Sequence, residues 1–169
     1  MKISYSFKLG QPAQTLAKPA EKIVEYSYNE FLLDLPDHWR PVAAPENNTL
    51  CWASEAANAA ITVSIDFYVI PDEKAMGVAQ FCVQQRHQAL EKSAPGRVTV
   101  LQESVKPYSG GGALELVYAA QIPGSTYMYL GYVSARKIFN FTLTSGADKF
   151  VTAALFNRIV GGWLRVKLP

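Results

Sequence analysis

The sequence predicts an α+β domain, a mostly antiparallel sheet of about six or seven strands with two main helices packed on it. Three observations carry this. Residues 113–145 read as three consecutive strands joined by short turns, residues 60–70 alternate strictly between apolar and polar, and the strands come in groups instead of alternating with helices. A parallel doubly wound sheet would need that alternation. At 169 residues, with 49% hydrophobic and 18% charged, the chain can bury a core as one domain without disulfides or metal.

Residues 1–20 form an N-terminal arm or edge strand in this reading, since Ile3, Tyr5, Phe7 and Leu9 alternate before Gly10-Gln11-Pro12 breaks the pattern. Residues 21–169 form the single domain. Residues 23–28 and 31–35 flank Asn29 as a bent strand or hairpin that Pro36 ends. After a loop rich in Pro and Asn, residues 50–53 and 60–70 form the next pair, with Ile61, Val63, Ile65, Phe67 and Val69 turned inward. Pro71-Asp72 then starts a helix that runs to about Lys92 and stops at Ala94-Pro95-Gly96. A strand over 98–105 leads through a flexible Ser109-Gly110-Gly111-Gly112 turn into the meander. A closing helix spans about 148–164, with Val151, Leu155, Ile159 and Trp163 on one stripe and Gly161-Gly162 weakening its end.

Within the meander, a turn at Arg136-Lys137 sets Ser134, Tyr132, Leu130 and Met128 against Phe139, Phe141, Leu143 and Ser145 on a core face. At the preceding turn, a two-residue Pro123-Gly124 loop would send Glu115 to that face. A three-residue Pro123-Gly124-Ser125 loop keeps Leu114, Leu116, Tyr118 and Ala120 there and is preferred. The second face then carries Val117, Ala119, Tyr127, Tyr129, Gly131 and Val133, joined by Tyr68 from the 60–70 strand. Small residues flanked by rings make a groove for an apolar helix or ligand. The alternative is that one of the two helices packs there. On the groove reading, a bulky residue at Gly131 blocks the partner and leaves the fold intact.

Candidate chemistry is sparse. His38 and His87 are the only histidines, Cys51 and Cys82 the only cysteines, and none stands at a metal-ligand spacing, so no metal or cofactor is expected. His38 could work with Asp66 or Glu115 in a small-ligand site or a weak hydrolase, or with a distant serine, but no nucleophile motif is present. A net charge of +2 without a basic stripe disfavours nucleic acid, and no run approaches the ~20 apolar residues of a membrane span. With no apolar leader in the sequence as written, a soluble cytoplasmic protein is expected.

The stretch Phe31-Leu32-Leu33-Asp34-Leu35-Pro36-Asp37-His38-Trp39 resembles the opening of PsbP-like domains of the DcrB group, where a strand runs into a Leu-Pro-x-x-Trp turn. The strand at 60–70 followed by Pro71-Asp72-Glu73 and a helix is similar to that group as well. So are Gly112-Ala113-Leu114-Glu115-Leu116 and the aromatic last strand with its closing helix. The resemblance implies a PsbP-like three-layer sandwich. Leaderless relatives include the Eag chaperones, small cytosolic dimers that hold the hydrophobic N-terminal segments of Rhs toxins before type VI secretion. It therefore implies a non-enzymatic chaperone or adaptor for an apolar segment of a protein partner, with a homodimer as its assembly.

Overall fold

A computed structural model of the chain describes residues 21–168. Its centre is a seven-stranded antiparallel sheet in the order β3-β4-β5-β9-β8-β7-β6, made of β3 (Arg40–Val42), β4 (Thr49–Ser54), β5 (Ala59–Phe67), β6 (Thr99–Pro107), β7 (Ala113–Ile122), β8 (Ser125–Ser134) and β9 (Lys137–Ser145). A three-stranded sheet adds β1 (Ile23–Ser27), β2 (Phe31–Pro36) and β10 (Leu164–Val166) in the order β1-β2-β10. The helices are α1 (Asp72–Ser93) and α2 (Lys149–Arg158). The α+β class, the antiparallel sheet and both helices agree with the sequence reading. The arm or edge strand read at 1–20 lies outside the described residues.

Two cores form, one on each face of the large sheet. On the first, α2 and the small sheet pack over Ile61, Val63, Leu130, Tyr132, Phe139, Phe141 and Leu143, all buried. Rings lock the layers together: Phe31 meets Phe139 at 5.6 Å between centroids, and Tyr26 meets Trp52 at 5.4 Å. Lys137, buried at the start of β9, bonds Glu30 Oε2 at 2.5 Å and the Lys167 carbonyl, and so fastens the small sheet to the large one. On the second face, α1 packs through Ala79, Cys82, Val83 and Leu90 over Leu116, Tyr118, Ala120, Tyr129 and Val133. Asp72 and Glu73 in its first turn and Lys92 in its last complement the helix dipole.

Several sequence expectations change. The β7–β8 hairpin uses the two-residue Pro123-Gly124 turn, with Ile122 opposite Ser125 and Gly124 at φ 78°, the positive value a type II turn needs after proline. Every residue of β7 therefore changes face relative to the preferred register. Glu115 enters the first core, where the Tyr132 hydroxyl donates to its Oε2 at 3.3 Å, and Leu116 and Tyr118 lie under α1. Alternation could not decide this, because layers on both sides make both faces of β7 and β8 apolar. The β8–β9 turn sits at Ala135-Arg136, pairing Val133 with Ile138, a two-residue slip that leaves the faces unchanged. β5 ends at Phe67, so Phe67 and Val69 are exposed, Val69 by 90%. The closing helix stops at Arg158, passes through a π-helical turn over Ile159–Trp163 and becomes β10. Its N-cap Asp148 accepts from Phe150 N and Val151 N, and the buried stripe is Thr152, Ala153 and Phe156, leaving Val151 exposed.

Candidate functional site

The groove expected at Tyr68, Val117, Ala119, Tyr127, Tyr129, Gly131 and Val133 does not exist as a single open surface. Val117 and Ala119 belong to the first core, and Tyr129 and Val133 are buried beneath α1. Only Tyr68, 59% exposed just past β5, and half-buried Tyr127 remain near solvent. A helix packs on this part of the face, which was the alternative reading. Gly131 has a packing role. The Tyr129 ring lies across it, so that a Cβ there would stand 2.2 Å from the Tyr129 hydroxyl. That hydroxyl donates to Asn140 Oδ1 at 2.5 Å, and Asn140 Nδ2 donates to Ser64 Oγ at 3.2 Å, a polar chain across β8, β9 and β5.

The proposed catalytic groups stay apart. Asp66 sits on the α1 side of the sheet and accepts from Asn48 Nδ2 at 2.5 Å, whereas Glu115 is inside the opposite core. Neither pairs with His38. His38 Nδ1 shares a 2.6 Å hydrogen bond with Ser54 Oγ, which also accepts from Ala57 N at 3.0 Å. That serine ties the β2–β3 turn to the β4–β5 turn, and no described carboxylate bonds the His38 ring to orient it as a base. Among the described residues no three His, Cys, Asp or Glu side chains gather as metal ligands.

What remains open is the other half of the α1-side face. α1 packs mainly on β6, β7 and β8, and its core reaches Ile138 of β9, while Cys51, Thr62 and Thr142 further along β4, β5 and β9 stay half-buried. The two flanks of α1 fix this placement. His87 Nδ1 bonds the Tyr118 hydroxyl of β7 at 2.8 Å on one flank, and Arg86 lies over the Tyr129 ring of β8 on the other. Registers place Thr142 beside Thr62 and Thr62 beside Cys51, with Thr144 beside Ala60 and Ala60 beside Ala53. All six are half-buried, while their neighbours on the reverse face, such as Ile61, Val63 and Phe141, are fully buried. Strands about 4.8 Å apart make this strip roughly 10 Å wide, and the two-residue step between the named positions on each strand makes it about 7 Å long before buried Asn140 and Ile138, which packs in the α1 core. A helix lying beside α1 at the usual 8–10 Å matches that width. The sequence held a signal for it, since Ala60, Thr62, Thr142 and Thr144 of β5 and β9 are small or hydroxylated where Leu116, Tyr118, Tyr127 and Tyr129 of β7 and β8 are large.

The Tyr118 contact has a pH consequence. Burial, with Glu103 and other neighbours adding to it, pushes the Tyr118 phenol up to about 12. The folded state thus holds the proton more tightly than the unfolded chain, whose phenols ionise near 10. Stability is fully present below pH 10 and is lost as pH rises through about 12. Urea midpoints measured across that window should fall for the wild type and fall less steeply for Tyr118→Phe.

No protein-family model and no curated protein matches this chain. Among solved structures it is similar to the solution structure of cyanobacterial PsbP (CyanoP) from Synechocystis sp. PCC 6803, with a TM-score of 0.64 at 14% identity over 93% of this chain and 100% of that one. The fold is PsbP-like. A Pseudomonas aeruginosa protein of unknown function is 21% identical over 87% of this chain and 98% of its own, with a TM-score of 0.49. At 14% identity, the likeness to CyanoP establishes the PsbP-like fold and nothing beyond it. No helix among the described residues is long and apolar enough to cross a membrane.

Proposed function

We propose that this chain is a non-enzymatic chaperone or adaptor that holds an apolar helical segment of a protein partner on the open strip beside α1. The observation that carries this is the part of the seven-stranded sheet that no helix covers among the described residues, roughly a helix in width and floored by Cys51, Ala53, Ala60, Thr62, Thr142 and Thr144. Small side chains let a helix backbone come close, and hydroxyls can bond the few polar groups such a helix carries. A partner helix there would complete the layer that α1 begins. The resemblance to the Eag chaperones supplies the finer proposal: the segment is the hydrophobic N-terminal part of a toxin bound for type VI secretion, held in the cytoplasm by a dimer of this chain.

Cys51 provides the test, because it lies on the strip while Cys82 is buried. A lysine-flanked helix of about 20 Leu, Ala and Gly residues serves as the probe. Saturating peptide should slow alkylation of Cys51 at least tenfold and leave Cys82 unaffected. A peptide that fails to bind, or that binds without protecting Cys51, would refute the strip as the holding surface.

A further inference from the structure

At the border between the covered and open halves of the sheet stands Arg86. It projects from α1 over β8, its guanidinium carbon 4.6 Å from the centre of the Tyr129 ring. Its Nε–H is buried without a hydrogen-bond acceptor. Among the described residues no carboxylate is close enough to pair with it: Glu91 contacts His87, Glu30 pairs with Lys137, and Glu25 and Asp34 pair with Arg165. Asp66, on the same face, is engaged by Asn48. Arg86 acts on Tyr127, Tyr129 and Cys82, which burial holds in their neutral forms, and shares a side-chain hydrogen bond with Tyr129. A half-buried guanidinium with no ion-pair partner can take a carboxylate arriving from outside through paired N–H donors.

Resting on the strip reading, we propose that Arg86 is the specificity residue of the holding surface: it receives the side-chain carboxylate of a single Asp or Glu carried within the otherwise apolar helix of the partner. The strip then selects on two properties at once. Shape admits a helix rich in small residues, and the cation at its inner edge fixes register by one acidic position. Arginine suits this task better than lysine, because its stacked planar fork is already oriented by Tyr129 and can bond both carboxylate oxygens.

Three C-terminally amidated or free probes of the lysine-flanked peptide separate the outcomes: one with a central Glu, one with Gln at that position, both amidated, and the Gln peptide with a free C-terminal carboxylate. Fluorescence titration of the full chain should show the Glu peptide binding at least tenfold tighter than amidated Gln, with the difference shrinking as salt rises. In Arg86→Met, which keeps a long apolar stem on Tyr129, the preference should vanish while the Gln peptide binds as before. Arg86→Lys should retain part of it and serves if the Met variant is poorly folded. Equal binding of Glu and Gln peptides with Cys51 still protected overturns the role of Arg86 and leaves the strip standing. A free C-terminus that substitutes fully for Glu overturns the side-chain assignment. Failure of all three to bind overturns the strip and this proposal together.

Discussion

Gly131→Ala should destabilise the fold by about 2 to 4 kcal/mol, a large loss for the addition of a single methyl group. The new Cβ would lie 2.2 Å from the Tyr129 hydroxyl and 2.7 Å from its ring carbon Cζ, so the ring must leave its place. Tyr129 is fully buried beneath α1, and moving it breaks the 2.5 Å bond to Asn140 and the stacking of Arg86. Urea denaturation measures the effect directly. The double variant Gly131→Ala with Tyr129→Leu should be less destabilised than the sum of the two single changes, because the shortened side chain no longer meets the Cβ. Additive losses would show that the ring and the glycine are not coupled. The expectation that a bulky residue at Gly131 spares the fold is thereby reversed.

Thr62→Trp should weaken binding of the apolar peptide at least tenfold with little change in the denaturation midpoint. Thr62 is the centre of the strip, half-buried between Cys51 and Thr142, and its side chain points away from the first core. An indole fits the β-backbone and the outward face, so the cost to folding is small, while the ring occupies the space a helix backbone needs. Thr99→Trp, at an exposed position on edge strand β6, is the matched control and should bind normally. Unimpaired binding in a folded Thr62→Trp protein would place the partner elsewhere.

Local pattern carried much of the fold. The span of α1 was legible from Pro71 at one end and Ala94-Pro95-Gly96 at the other, and the β1–β2 hairpin, β4–β5 and the meander all follow from alternation between turn residues. The faces of β8 and β9 were legible too, because Tyr132, Leu130, Phe139 and Phe141 share one side with few polar residues. Strand β3 was missed because three residues containing a proline, Arg40-Pro41-Val42, carry no periodicity. The strand β10 was missed because apolar residues past Gly161-Gly162 continue a helical stripe in sequence even though the backbone has turned away from it.

The sequence by itself determined the class of the fold, the order of its longer strands and its two-helix inventory, since these rest on periodicity and on proline and glycine punctuation within a few residues. The tertiary structure decided the β7 register, the fate of Glu115 and the location of the open surface. Each depends on what lies above a strand, and α1 packs over β6, β7 and β8 but leaves Cys51, Thr62 and Thr142 half-buried. A strand with layers on both sides is apolar on both faces, so its own alternation holds no record of which side a residue takes. That is why the rings at Tyr127 and Tyr129 suggested a groove where a helix sits, and why the small residues around Thr62 mark the face that α1 leaves open.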